Sequence, residues 1–290
     1  MLALLSLVRR WPLVCYFGLV FSASACALMV IGMPRLDGSG GRSIASLVMF
    51  PVIVVAVGLS GLLMTALTEG SRGLQQLVRR ITRWRLHRWW LVLCIPPLGI
   101  LATEAILSVT VASSFTPQFL VFGIAAGLLA GICEEIGWTG FAYPRLRTRF
   151  GALRGALLLG VLWAVWHLPV VDALGAASPH GPAWPAFFAS FAAMLIALRV
   201  LIAWLYVHTE SVLGAQLLHA SSTGSLVAFG APAVSPDQEA IWYLAYGLVL
   251  WVLVVVVVHR HGTSLAHSQR AQPQEPILPT SPVDVGAPSL

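Results

Sequence analysis

The sequence predicts an all-α, polytopic transmembrane helical bundle of about eight spans with both termini cytoplasmic. Three observations carry that expectation. Of 290 residues, 58% are hydrophobic and only 10% charged, a balance foreign to ordinary soluble domains. The apolar residues fall in separate runs, each close to the ~17–25 residues a helix needs to cross the hydrocarbon core. The arginines gather in alternate connections between those runs, the pattern of the positive-inside rule.

The eight runs are Trp11–Met33, Ser43–Leu67, Trp89–Val111, Pro117–Phe141, Gly155–Val171, Trp184–Tyr206, Ser211–Phe229 and Ala240–Val258. The first follows Arg9 and Arg10 and has small residues up to Cys26, which imitates a secretory or lipoprotein signal. Ala23 stands where a lipidated Cys requires a larger aliphatic residue, and the apolar run continues to Met33. An uncleaved helix is therefore expected. The connection Thr68–Arg88 carries Arg72, Arg79, Arg80, Arg83, Arg85 and Arg88, and Tyr143–Arg154 carries Arg145, Arg147, Arg149 and Arg154. With Arg9, Arg10, Arg260 and Arg270 they lie on one side; Arg35 and Arg42 lie on the other. An even number of spans agrees with that orientation.

Within the first connection, Gly73–Arg88 is expected to lie as an amphipathic helix in the inner interface, with Leu74, Leu77, Ile81 and Trp84 facing lipid. The domain organisation follows: 1–116, three transmembrane helices with a basic interfacial helix at 68–88; 117–229, the functional core; 230–258, the last transmembrane helix; and 259–290, a cytoplasmic tail rich in Pro, Gln and Ser and expected to be disordered. No internal repeat and no soluble domain is visible.

Net charge is +6, and all 17 basic residues are arginine. Because most lie in short loops between apolar runs, the partner they imply is the lipid bilayer and its anionic headgroups, with no nucleic acid. The expected location is the cell membrane. Cys15, Cys26, Cys94 and Cys133 stand singly and form no CxxC pair, so they are expected to be small buried hydrophobes.

Against this apolar background, a few polar residues sit where a bilayer should exclude them. Glu134 and Glu135 lie in the fourth run, His167 in the fifth and His219 in the seventh. Ionisable groups at membrane depth are energetically expensive and mark functional sites. At 1.5 Å per residue the glutamates come ~10–13 Å in from the cytoplasmic end, His219 ~12 Å and His167 ~18 Å. All fall within side-chain reach of one level. Trp163 and His167 share a helix face, as do His219 and Thr223. The adjacent glutamates point about 100° apart, so only one can face a given centre squarely. Pro169 can kink or end the helix of His167. Carboxylates with imidazoles are the groups that activate water and stabilise an oxyanion, which points to hydrolysis within the membrane. Glu104 lies nearer the far face and is expected to be structural.

These residues carry a resemblance. Glu134-Glu135-Ile136-Gly137-Trp138-Thr139-Gly140-Phe141, then Trp163-Ala164-Val165-Trp166-His167-Leu168-Pro169, then His219 with Thr223 resemble the EExxxR, FxxxH and HxxxN motifs of the CaaX-protease and bacteriocin-processing (CPBP) family of intramembrane endopeptidases. The similarity covers roughly Pro117–Phe229, in order and spacing. It implies that Glu134 is the general base that activates water, that His167 holds or polarises it, that His219 stabilises the oxyanion, and that Glu135 anchors the site. A membrane-associated protein or peptide is the implied substrate; nothing in the sequence says whether it is lipidated.

Three positions depart from the family pattern. The motif arginine is Thr139, the motif phenylalanine is Trp163, and the motif asparagine is Thr223, whose hydroxyl lacks an amide's paired donor and acceptor. A catalytically weak or inactive member, acting as a membrane immunity or scaffold protein, is the alternative these changes leave open. Arg199, ~13 Å deep in the sixth run, matches the level of the glutamates. It is expected to pair with Glu135 or Glu134 in place of the missing arginine, the alternative being that it snorkels to the headgroups. No cofactor is expected. If the site were metal-dependent, Zn²⁺ on Glu134, His167 and His219 is the alternative, although no HExxH is present.

Overall fold

A computed structural model describes residues 2–31, 44–230 and 234–266. Among these residues there is no strand. The chain runs through α1 (Leu2–Arg10), α2 (Pro12–Ile31), α3 (Ile44–Ile81), α4 (Ile95–Thr110), α5 (Phe122–Gly137), α6 (Tyr143–Phe150), α7 (Ala152–His167), α8 (Val171–Leu174), α9 (Trp184–Thr209), α10 (Val212–Phe229) and α11 (Pro236–His261). A 3₁₀ segment, His87–Cys94, leads into α4, and a π-helical turn, Trp138–Ala142, joins α5 to α6.

Six helical stretches are long and apolar enough to cross a membrane: Pro12–Ile31, Val48–Ile81, His87–Thr110, Phe122–Phe150, Gly181–Thr209 and Pro236–Ser264. The chain is a multi-pass membrane protein. The two other runs expected to span behave differently. α7 has 16 residues, about 24 Å of helix at 1.5 Å per residue. α10 has 18 residues but carries Gln216, His219, Ser221, Ser222, Thr223 and Ser225. Its neighbours are protein rather than lipid, because α5, α4 and α9 pack around it. A helix so enclosed is released from the composition that lipid imposes on the outer helices.

Glycine makes that enclosure possible. On α5, Cβ atoms added at Gly123, Gly127 and Gly131 would lie 2.4, 2.3 and 2.3 Å from the Ala228 nitrogen, the Ala220 carbonyl oxygen and the Gln216 carbonyl oxygen of α10. Small residues at four-residue spacing let two backbones touch, the device membrane helices use in place of hydrophobic attraction. Gln216 Nε2 then donates to the Ile132 carbonyl across the contact, at 2.8 Å. The other side of α5 meets α3 in the same way: a Cβ at Gly58 would lie 2.5 Å from the Cys133 carbonyl oxygen, and one at Gly61 2.6 Å from the Gly137 Cα. Glu134 and Glu135 therefore sit on a helix clamped from both sides.

Two expectations are corrected. The interfacial helix expected at 68–88 is shorter: the chain breaks at Gly70 (φ 66°), and the helical stretch that follows it stops at Ile81. Its Leu77 faces protein and not lipid: it is fully buried, and a Cβ on Gly140 would come within 2.8 Å of its Cδ1. Trp84 is exposed, but beyond the helix end. The tail does not begin at 259, since α11 continues to His261 and the turn that follows buries Leu265. Arg35, Arg42, Arg270 and the rest of the tail from 267 lie outside the described residues, as does the predicted end of the first run at Met33.

Local signals explain several helix ends. Ser235 and Gln238 form a capping box ahead of Pro236 at the start of α11. Ser211 caps α10 through Gly214 N, at 3.0 Å. α7 stops at His167, two residues before Pro169, which has no N–H to continue the helical ladder. Beyond it, the imidazole of His180 is held between Asp172 Oδ1 (2.6 Å) and Glu239 Oε2 (3.0 Å), tying the connection after α7 to the first turn of α11.

Candidate active site

The two glutamates enter the site in different company. Trp138 lies four residues beyond Glu134 and Thr139 four beyond Glu135, so each pair shares a helix face. The backbone N–H of Trp138 reaches both Glu134 and Glu135 carbonyls as the helix widens into the π turn. Such turns recur at functional sites. Here the turn brings both i+4 partners onto the carboxylates: Trp138 Nε1 donates to Glu134 Oε2 at 2.9 Å, and Thr139 Oγ1 donates to Glu135 Oε2.

Glu134 receives a second indole, Trp163 Nε1 from α7, on the same Oε2 at 3.0 Å. Both protein donors thus engage one oxygen, and Oε1 stands outside that pair of bonds. Glu135 is the anchor. Arg199 of α9 grips it with a two-bond fork, Nη1 to Oε2 and Nη2 to Oε1, each at 2.9 Å. His219 of α10 donates from Nδ1 to Glu135 Oε1 at 2.8 Å. Arg199 is 1% exposed and Glu135 0%, so this fork lies in the protein interior and does not snorkel. Planar bidentate pairing is the strongest geometry available to a guanidinium. The buried arginine occupies the place of the cation that Thr139 cannot supply.

Trp163 is the hub. Its ring lies 4.3 Å from the Arg199 guanidinium carbon, within cation–π range. Its ring centroid is 5.0 Å from that of His219 and 5.7 Å from that of His167. Its carbonyl accepts from His167 Nδ1 at 2.8 Å. A carbonyl can only accept, so that bond assigns the Nδ1 proton and leaves Nε2 as the working nitrogen. His167 is half-buried against Trp166 and Phe191; it reaches Glu134 through Trp163 rather than directly.

The structure thus gathers Glu134, Glu135, Trp163, Arg199 and His219 through direct contacts and adds His167 through the Trp163 ring. Thr223, expected to support His219, makes no hydrogen bond to these groups among the described residues. Two contributors escaped the sequence reading. Trp138 was detectable from its i+4 spacing to Glu134. Tyr16, whose ring lies 5.8 Å from that of Trp138 and 5.1 Å from that of Phe141, closes the site from α2, and nothing local in the sequence signals it. α2 is further tied to α7 by Trp166 Nε1 donating to Ser24 Oγ at 2.8 Å.

Among the described residues no three His, Cys, Asp or Glu side chains are placed to share one ion. His219 and His167 each use Nδ1, toward Glu135 and the Trp163 carbonyl, and keep Nε2 clear of those bonds, as Glu134 keeps Oε1 clear of its two indoles.

Residues 116–225 match the family described as "Type II CAAX prenyl endopeptidase Rce1-like". Over 44 residues the chain is 39% identical to CAAX prenyl protease 2 of Methanococcus maripaludis, a stretch covering 15% of this chain and 16% of that protein. The middle of the chain, 116–225, is thus similar to CaaX-protease-like proteins. The CaaX-protease-like segment contains Glu134, Glu135, Trp163, His167, Arg199 and His219, together with all of the motif positions. The helices before it, α1 to α4, lie outside the family match, yet α2 and α3 supply the packing that clamps α5.

Proposed function

We propose that this protein is an intramembrane endopeptidase that hydrolyses a peptide bond of a membrane-associated protein or peptide. The observation that carries the proposal is the division of labour between adjacent buried carboxylates. Glu135 is saturated by Arg199, His219 and Thr139. Glu134 is oriented by two indoles that leave one oxygen for a reactant.

In this reading, a water between Glu134 Oε1 and His167 Nε2 gives its proton to Glu134 as its oxygen bonds to the scissile carbonyl carbon. The carbonyl oxygen becomes an oxyanion. His219, held at Nδ1 by Glu135, faces that oxyanion and stabilises it. The C–N bond then breaks, and Glu134 returns the proton to the departing amine. The Arg199 guanidinium offsets the Glu135 carboxylate through their paired bonds, which makes that charge tolerable in a low-dielectric interior. Arg199 supplies the cation whose absence at Thr139 favours the immunity or scaffold alternative.

The test is a peptide-library digest by the full chain in proteoliposomes, with cut sites mapped by mass spectrometry and Glu134→Gln beside wild type. Site-specific cleavage confined to wild type is expected. A well-folded wild type that cuts nothing across the library would favour the scaffold alternative.

A further inference from the structure

A second feature lies at the arginine-rich end of the bundle, away from the glutamates. Arg83, Arg85 and Arg88, together with His87, Trp89 and His208, line a cavity of about 560 Å³, and no acidic residue contributes to its wall. Arg85 and Arg88 have no acidic partner among the described residues. Arg83 approaches Glu210 at 3.6 Å, but both side chains are largely exposed, and such pairs hold little energy.

The shape of the chain here is specific. α3 has ended, His87 turns the backbone at φ 48°, and the 3₁₀ segment then begins the next apolar stretch, His87–Thr110. Trp89 forms the back wall, with the Trp204 and His208 rings 5.0 and 4.6 Å from its own. The rim is apolar: Trp84 is 65% exposed, Trp90 41% and Leu91 74%. Exposed tryptophans at the end of a span mark the headgroup level of a bilayer. Exposed arginines therefore line a cavity at the depth where lipid phosphates lie, beside apolar surface that continues down the span.

We propose that this cavity seats the phosphate of an anionic phospholipid headgroup, with the acyl chains running along the exposed Leu91 side. Guanidinium forks match phosphate geometry, and clustered arginines beside a span attract anionic lipid. The site also touches the functional core. Ser211 Oγ donates to the Arg83 carbonyl at 2.6 Å and caps α10, the helix that carries His219. A seated headgroup braces that junction.

Native mass spectrometry of the full chain tests this. Phosphatidylglycerol is titrated against phosphatidylcholine of the same acyl chains, with inorganic phosphate as competitor. Wild type should retain phosphatidylglycerol at least ~10-fold more tightly than phosphatidylcholine. The Arg85→Gln/Arg88→Gln pair should lose that preference, while Arg149→Gln/Arg154→Gln, which removes equal charge from exposed arginines of the other arginine-rich connection, should keep it. A diazirine-tagged phosphatidylglycerol should cross-link to residues 83–91 of wild type, a readout that needs no variant. Equal loss in both pairs, no preference in wild type, or labelling outside 83–91 would overturn the proposal. Displacement by equimolar inorganic phosphate would overturn the lipid assignment in favour of a free-phosphate site.

Discussion

Replacing Arg199 with leucine leaves Glu135 0% exposed and short of its cation. The two 2.9 Å fork bonds vanish, along with the guanidinium contact to the Trp163 ring at 4.3 Å. Breaking a buried pair by removing one partner costs about 3–5 kcal/mol, most of it the penalty of the stranded charge; the ring contact adds about 1 kcal/mol. His219 and Thr139 still donate to the carboxylate, so the lower part of that range is expected. Two further variants separate charge pairing from simple packing. Thr139→Arg in the Arg199→Leu background places a cation one helical turn from Glu135 and should recover part of the loss. Glu135→Leu with Arg199→Leu strands no charge, so the double variant should be more stable than Arg199→Leu alone. The assay is thermal unfolding of purified protein in one detergent, as a double-mutant cycle. Wild-type stability in Arg199→Leu, or strictly additive losses in the double variant, would refute the pairing energetics argued here.

Other consequences follow from the same geometry. Glu134→Gln keeps an oxygen for the two indoles but loses the base, so the protein should fold and melt normally while turnover falls at least ~100-fold, measured by peptide cleavage. Trp163→Phe removes one indole donor and preserves the ring; turnover should fall by about tenfold with little change in melting temperature, consistent with one lost hydrogen bond to a charged group. Gly127→Leu drives a side chain into the Ala220 carbonyl, 2.3 Å from where its Cβ would lie, and should separate α5 from α10, lowering both stability and activity in parallel. A chelator in large excess should leave cleavage unchanged, because every proposed step runs on water and protein groups; loss of activity restored by zinc would contradict that.

The legible part of this protein was its periodicity and its exceptions. Helical runs of the right length mark where chain meets lipid, and Glu134, Glu135, His167 and His219 mark where it does not. Arg199 could be matched to the glutamates because depth along a helix is arithmetic. What the runs conceal is which helices face lipid at all: α10 resembles a span by length, but its serines, glutamine and histidine belong to a helix surrounded by protein. The Gly123-Gly127-Gly131 stripe was the available signal. The partner of Leu77 was misread because Leu74, Leu77 and Ile81 make an apolar face whether it meets lipid or Gly140. Tyr16 and the α2 wall were hidden because contacts between helices distant in sequence leave no local pattern.

The central claim is that Glu134 activates a water that attacks a peptide carbonyl inside the membrane. Cleavage of a mapped peptide by the proteoliposome-embedded full chain in heavy-oxygen water tests it most directly. One heavy oxygen should appear in the new carboxyl terminus of the wild-type product, and Glu134→Gln of equal fold stability should form that product at least ~100-fold more slowly. The same rate of heavy-oxygen product from Glu134→Gln would contradict it.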